Sequence, residues 1–200
     1  MYFATSFICS SAINIVIDLN LTSEKKHKFR TPHEVLAVAK DIIPLVCLNL
    51  VSVVFPGSLL IENVIETRQR NEYGFILNFT AIVAIADFIT YWVHRIFHSP
   101  FLYWIHKTHH EFQYPIAMAA LYAHPVDFLL INFIPFNLPI FLLWPPDYVI
   151  KFSILFAVFI TTFQSHGGYT FFSDSHLLHH KHYKVNYGLG LSDRIFGTFR

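Results

Sequence analysis

Charge is what this 200-residue sequence has least of. Asp, Glu, Lys and Arg make up 14% of it, against about 25% in an ordinary soluble domain. The chain is 54% hydrophobic, with 22 Phe and 10 Tyr, and that surplus points to lipid as its solvent. A net charge of +1 leaves no basic excess to track phosphates, which argues against a nucleic-acid partner. Cysteine is scarce as well. Cys9 and Cys47 both lie in apolar runs and read as small buried hydrophobes, and they offer no zinc or disulfide spacing. No G-x-G-x-x-G occurs, "GLG" at 188–190 being too short, so the chain carries no signature of its own nicotinamide or flavin domain. Site chemistry has to come from histidine.

Long uncharged runs stand where the charges are missing. Residues 3–21 are apolar but interrupted by Asn14 and Asp18, and they read as a poor span or an interfacial helix. A cleaved signal peptide is disfavoured, because no Lys or Arg precedes the run and no small-residue cleavage site follows it. Residues 42–61 are uncharged and long enough to span, with Pro44 and Pro56 expected to bend them. Residues 75–93 form a further span that runs straight into His94. Residues 126–144 and 148–163, joined by "PPD" at 145–147, read as a helical hairpin short enough to be partly re-entrant. The expected fold is an all-α integral membrane protein with about four transmembrane or re-entrant helices and a cytoplasmic, histidine-rich, metal-binding helical region. Residues 1–34 form an N-terminal apolar segment and basic connector, and 35–200 form the membrane domain.

Counting spans assigns the faces. If 3–21, 42–61 and 75–93 all cross, then 22–41, 94–125 and the tail from Gln164 share one side. That side holds Lys25, Lys26, Lys28, Arg30, Lys40, Lys181, Lys184, Arg194 and Arg200, while 62–74 on the other is net acidic. The basic side is expected to be cytoplasmic.

Histidine is unevenly placed: of 13 in the chain, only His27 and His33 precede residue 94. His94 and His98 lie four apart and stack on one helical face. His106, His109 and His110 follow H-x-x-H-H, and His176, His179 and His180 repeat it. His124 lies just before the hairpin and His166 just after it. These three motifs exceed the four ligands of a closed zinc site, so two metal ions are the economical explanation, and iron, zinc and copper all accept imidazole. A histidine-rich polar surface at the lipid headgroups does not explain a spacing that occurs twice. It fits His182, is an alternative for His166, and is the better reading for His27 and His33 in their basic connector.

"HRIFH", "HKTHHEF", "YAHPVDF", "SHGGY", "HLLHH" and "NYGLGLSDRIFGTFR" resemble the fatty acid hydroxylase/sterol desaturase superfamily, over residues from about 35 to the end. Some of these motifs lean toward C-4 methylsterol oxidases and others equally toward sterol C-5 desaturases. The chain departs from the pattern at Gln164, in a short loop between "SHGGY" and "HLLHH", and at Ser192, where members commonly carry Trp. The resemblance implies a di-iron enzyme of the endoplasmic reticulum membrane that uses O2 to oxidise an unactivated lipid C–H bond. It implies His94, His98, His106, His109, His110, His124, His166, His176, His179 and His180 as metal ligands. It also implies electrons from NAD(P)H, through cytochrome b5 or a reductase. The expected reaction is hydroxylation of a sterol, C-4 methylsterol monooxygenase-like, with sterol C-5 desaturation or fatty-acyl/sphingolipid hydroxylation as alternatives. Removing one hydrogen and returning oxygen gives an alcohol; removing a second gives a double bond, so spacing does not separate the outcomes.

Asp87 lies seven residues before His94 on the same helical face. An acid inside a span marks a functional site by default, and Asp87 is expected to accept from a ligand imidazole, a helix–helix hydrogen bond being the rival. Asp127 and Glu111 invite the same two readings, with a solvated acid favoured for Glu111. Tyr91, Trp92, Tyr103 and Trp104 read as an interfacial aromatic belt, and Arg95 and Lys107 as partners of headgroups or partner acids. Two other classes stay open. A membrane metal-binding or transport protein would hold the ions without redox work, but it would favour more acids along the spans. A bis-histidine haem protein needs one histidine on each of two facing helices rather than triplets within one turn.

Overall fold

The computed structural model describes residues 13, 16, 32–66, 69–111, 116–169 and 175–200. The N-terminal segment expected at 3–21 lies outside them apart from Ile13 and Val16, and so do Cys9 and most of the basic connector. Among the described residues the secondary structure is helical and no β-strand forms. Among the described residues three helices are long and apolar enough to cross a membrane: Ala37–Val64, Phe75–Phe97 and Pro125–Leu143.

The first span is built from α1 (Pro32–Asn49), a π segment (Leu50–Val54) and α2 (Phe55–Glu66). Pro44 is carried inside α1. Pro56 has no N–H to give to the preceding turn, and its ring crowds the carbonyl there; the wider π segment sits where that turn would be. Asn49 fixes the helix to the segment beneath it, donating to the carbonyls of Leu121 (3.1 Å) and Ala123 (2.9 Å). Cys47, expected to be buried, is exposed on this helix. In a spanning helix that places it toward lipid, where a small apolar side chain is equally at home.

The second span is α3 (Phe75–Phe97). Its start is locked by Asn71 and Asn78, whose side-chain amides exchange hydrogen bonds of 2.8 and 3.0 Å. Asn71 also donates to the Leu143 carbonyl (2.5 Å), and Arg70 pairs with Asp147 (2.5 Å). The expected hairpin forms. Pro125–Asp127 and a π segment (Phe128–Phe133) lead into α5 (Ile134–Leu143), with α4 (Tyr103–His106) lying before them. Trp144 caps α5 in the left-handed region (φ 50°), and Pro145 and Pro146 prevent the helix from continuing. The return is α6 (Asp147–Phe159), extended by a third π segment (Ile160–Gln164).

α3 packs most extensively on α5, and Ile42, Val54, Ile82, Phe128, Ile140 and Ile150 meet in the apolar core between the spans. The far end of α3, the start of the hairpin and the end of its return leg therefore come together at one end of the bundle. α7 (Ser175–His182) and α8 (Leu191–Ile195) complete that end.

Candidate metal centre

The last turn of α3 supplies His94 and His98; α4 and the 3-10 turn His109–Glu111 supply His106, His109 and His110; α7 supplies His176, His179 and His180. His166 follows the third π segment. Their ring nitrogens gather into two groups, His94, His98, His106, His110 and His179 in one, and His109, His166, His176 and His180 in the other. Each H-x-x-H-H motif is divided between them. The residues four apart, His106 and His110, share the first group and lend His109 to the second. His176 and His180 share the second and lend His179 to the first. Side chains four apart lie on one helical face, and the one between points to its neighbouring face, so the repeated spacing serves two adjacent sites at once.

The second ring nitrogens fix the tautomers. Nδ1 of His94 lies 2.7 Å from the Tyr187 carbonyl, that of His179 2.7 Å from Val185, that of His166 2.6 Å from Thr161 and that of His109 3.3 Å from Tyr122. A carbonyl only accepts, so Nδ1 carries the proton in all four and Nε2 carries a lone pair. His106 Nδ1 likewise donates to Asp127 Oδ2 at 2.9 Å. His109 and His166 then face each other Nε2 to Nε2 at 3.2 Å with no proton to share, and the buried Nε2 of His94 has no hydrogen-bond partner at all. Converging lone pairs repel unless a cation stands among them. Neighbouring Nε2 atoms are separated by 3.0–3.3 Å throughout, which suits nitrogens sharing an ion about 2.0–2.1 Å from each. The residues present fit two bound metal ions.

Burial sets the charge state. Desolvation, then the neighbouring His94, lowers the His98 pKa to about 3, and desolvation lowers that of His109 to about 4. Burial likewise pushes His106, His110, His176, His179 and His180 below the ordinary imidazole range. All are neutral at pH 7, the form that binds metal.

A cavity of about 50 Å³ lies beside the two groups, lined by His94, His106, His109, His166 and His176 together with Ile131, Phe136 and Leu189. It holds a few water-sized groups of about 10–15 Å³ each. Two π segments contribute to its lining, through Ile131 and Asn132 and through Thr161; such widened turns recur at functional sites.

Of the ten histidines expected from sequence, five fall in one group and four in the other. His124 stands apart from both. Its Nδ1 accepts from the Val126 N–H (3.2 Å), capping the turn that carries Asp127. Asp127 lies beside His106 rather than beside His124, its neighbour in sequence. Asp87 touches no histidine. It accepts from the backbone N–H groups of Leu189 and Ser192, each at 2.7 Å, and from the Ser192 hydroxyl, so it secures the strap 187–192. The strap in turn presents the Tyr187 carbonyl to His94. Gly188 lets the strap approach, since a Cβ there would stand 3.0 Å from Asp87 Oδ1 and 3.2 Å from Tyr91 Cβ. Tyr91 is not part of a belt: it is fully buried, stacks on Phe196 and accepts from Arg95 at 2.6 Å. Trp104 is exposed, as a belt requires. Glu111 accepts from the Tyr122 hydroxyl at 2.8 Å, and desolvation followed by that bond raises the Tyr122 pKa to about 12.

Sequence reasoning missed Asp193 and the carbonyl acceptors. Asp193 receives the N–H groups of Tyr187 (2.8 Å) and Gly188 (2.7 Å) and the Thr198 hydroxyl (2.7 Å). Its signal was its place in "SDRIFGTFR". The carbonyls had none, because every residue carries one.

Fold and site together define an all-helical membrane protein with two buried histidine clusters suited to metal ions at one end of its spans. The chain belongs to the fatty acid hydroxylase family, whose pattern it matches over residues 79–198, a stretch that contains both clusters. It is 33% identical to fatty acid hydroxylase ahd1 of Mycosarcoma maydis over 183 residues, 84% of this chain and 48% of that protein. It is 39% identical to methylsterol monooxygenase 1-1 of Arabidopsis thaliana over 89 residues, 44% of this chain and 29% of that one. With the Delta(7)-sterol 5(6)-desaturase erg3A of Aspergillus fumigatus it shares 32% over 143 residues, 64% of this chain and 39% of the other. The chain thus spans about half or less of the length of these relatives. No solved structure matches it.

Proposed function

We propose that this protein is an O2-dependent, non-haem di-iron enzyme that hydroxylates or otherwise oxidises an unactivated C–H bond of a lipid. The observation that carries the reading is the set of tautomer-fixed Nε2 atoms converging in two adjoining groups beside a cavity with apolar walls. In this reading His94, His98, His106, His110 and His179 hold one iron, and His109, His166, His176 and His180 hold the other. Bound there, the two irons supply activation of O2 and removal of hydrogen from the substrate carbon. The rest falls to the chain. Asp127 and the carbonyls of Tyr187, Val185, Thr161 and Tyr122 keep the Nδ1 protons in place, and burial keeps bulk water from the reacting carbon. The Thr90 hydroxyl, which lines the cavity and has no hydrogen-bond partner, is placed to donate to an oxygen atom there.

The substrate in this reading is a sterol and the reaction resembles that of a C-4 methylsterol monooxygenase, in sterol biosynthesis. Support comes from the likeness to a methylsterol monooxygenase and a sterol desaturase. The alignment with a fatty acid hydroxylase covers more of this chain and favours fatty-acyl or sphingolipid hydroxylation as the second reading. Electrons come from NAD(P)H through cytochrome b5 or a reductase, which would approach the histidine end, where Lys107, Lys181 and Lys184 are exposed. That end faces the cytoplasm from the endoplasmic reticulum membrane, in keeping with the basic residues of the connector and tail.

The experiment is elemental analysis of detergent-purified protein, with Mössbauer spectroscopy on iron-57-grown material, followed by lipid-product screening under O2. Two coupled irons per chain and an oxidised lipid product are expected. Zinc alone after iron-replete growth would overturn the di-iron reading and put the membrane metal-binding reading in its place.

A further inference from the structure

A second cavity, of about 20 Å³, shares Asn132, Phe136 and Thr161 with the wall of the histidine cavity. Its other walls include Ile154, Ala157 and Val158. Asn137 stands among these apolar groups, 8% exposed, on a helix that crosses the membrane. Its Nδ2 donates to the Phe133 carbonyl one turn earlier (2.7 Å), while its Oδ1 is buried and has no partner. A polar side chain at that depth is costly and needs a reason. Asn49 shows what a structural reason looks like, since its amide ties two carbonyls of another segment to its own helix. The Asn137 amide ties nothing outside its own helix. Its acceptor, unpaired on a residue that lines the cavity, is a demand for a donor.

We propose that Asn137 selects the substrate: the second cavity takes the hydroxyl end of a lipid alcohol, Oδ1 accepting its O–H, while a neighbouring carbon of the same molecule lies in the histidine cavity. This rests on the lipid-oxidising reading of the site. Size limits what fits. A space of about 20 Å³ admits a single hydroxyl, at about 10–15 Å³ for a water-sized group, and excludes a phosphodiester headgroup. The unpaired Oδ1 also discriminates against a pure hydrocarbon or an ether, neither of which brings it a donor. Alcohol over ether selectivity of roughly 10- to 100-fold follows from the penalty for a buried unpaired acceptor.

The test is equilibrium binding to the metal-loaded full chain in nanodiscs, using cholesterol and hexadecanol, each paired with its O-methyl ether. At least one alcohol is expected to bind roughly 10- to 100-fold tighter than its ether, with the ratio falling to about 1 in Asn137→Leu while metal content is kept. An ether that binds as tightly as its alcohol in the wild-type protein overturns the proposal. So does failure of both alcohols to bind, or a ratio that survives in N137L. The wild-type ratio needs no variant, so misfolding of N137L does not spare the proposal. Binding is read without turnover, so its failure is distinct from that of the oxygenase reading, which the metal analysis and product screen decide.

Discussion

At the clustered histidines whose Nδ1 is held, the decisive atom is the one that faces away from the cluster. Asp127 Oδ2 beside His106 Nδ1 is the one carboxylate among these acceptors, and both residues are 1% exposed. Asp127→Ala would leave the His106 N–H without an acceptor, and metal affinity is expected to fall about 10- to 100-fold, read by competition with a chelator. Unchanged affinity would show that His106 needs no such support. The depressed imidazole pKa values carry a pH signature. An unfolded histidine takes up its proton near pH 6.5, whereas His98 and His109 resist until about 3 and about 4. Their contribution to stability is therefore fully present above about pH 6.5 and is lost as pH falls toward those lower values. For the metal-free protein a thermal midpoint that declines from pH 8 to pH 5 is expected, and a flat profile would contradict it. Spacing made eight of the ten histidines legible as a set because helical geometry is local, while His166 and His124 rested on the resemblance. His166 joins the second group, whereas His124 makes a capping bond and joins neither.

The strap 187–192 is held by elements far from it in sequence. Asp87, 102 residues before Leu189, takes three donors from it, and Asp193 closes the loop from its own end. Helical spacing correctly put Asp87 on the side of α3 that carries His94, but no local pattern shows a partner a hundred residues away. Asp87→Ala would bury two unsatisfied backbone donors, at a cost of about 1–3 kcal/mol each, and would release the Tyr187 carbonyl from His94. A lower thermal midpoint together with weakened metal retention is expected; a change in the first without the second would separate the strap from the site. Gly188→Ala should act in the same direction, since its Cβ would meet Asp87 and Tyr91, and limited proteolysis within 187–192 would report the loosening. The π segments were not legible. Residues such as "FLLINF" and "ITTFQ" suit an ordinary α-helix equally well, and the wider turn emerges only from packing around the cavity.

Across the described residues, the apolar runs and their breaks made the spans from 42 onward and the hairpin readable, since lipid admits few alternatives to helix. What no run could show was that one end of α3, the hairpin's start and its return leg meet at a single place. There the division of each H-x-x-H-H motif between two sites binds their fates together. His109→Ala removes a ligand from the second group only, yet His106 and His110 on the same turn belong to the first, so metal analysis is expected to show both ions depleted rather than one. The same linkage governs how the protein fills. If two ions bind as proposed, the first to draw in His106, His110 and His179 would set the backbone on which His109, His176 and His180 stand, and the second would meet a prearranged nest. A titration of the empty protein should therefore rise sigmoidally, with singly loaded chains scarce at every point along the curve.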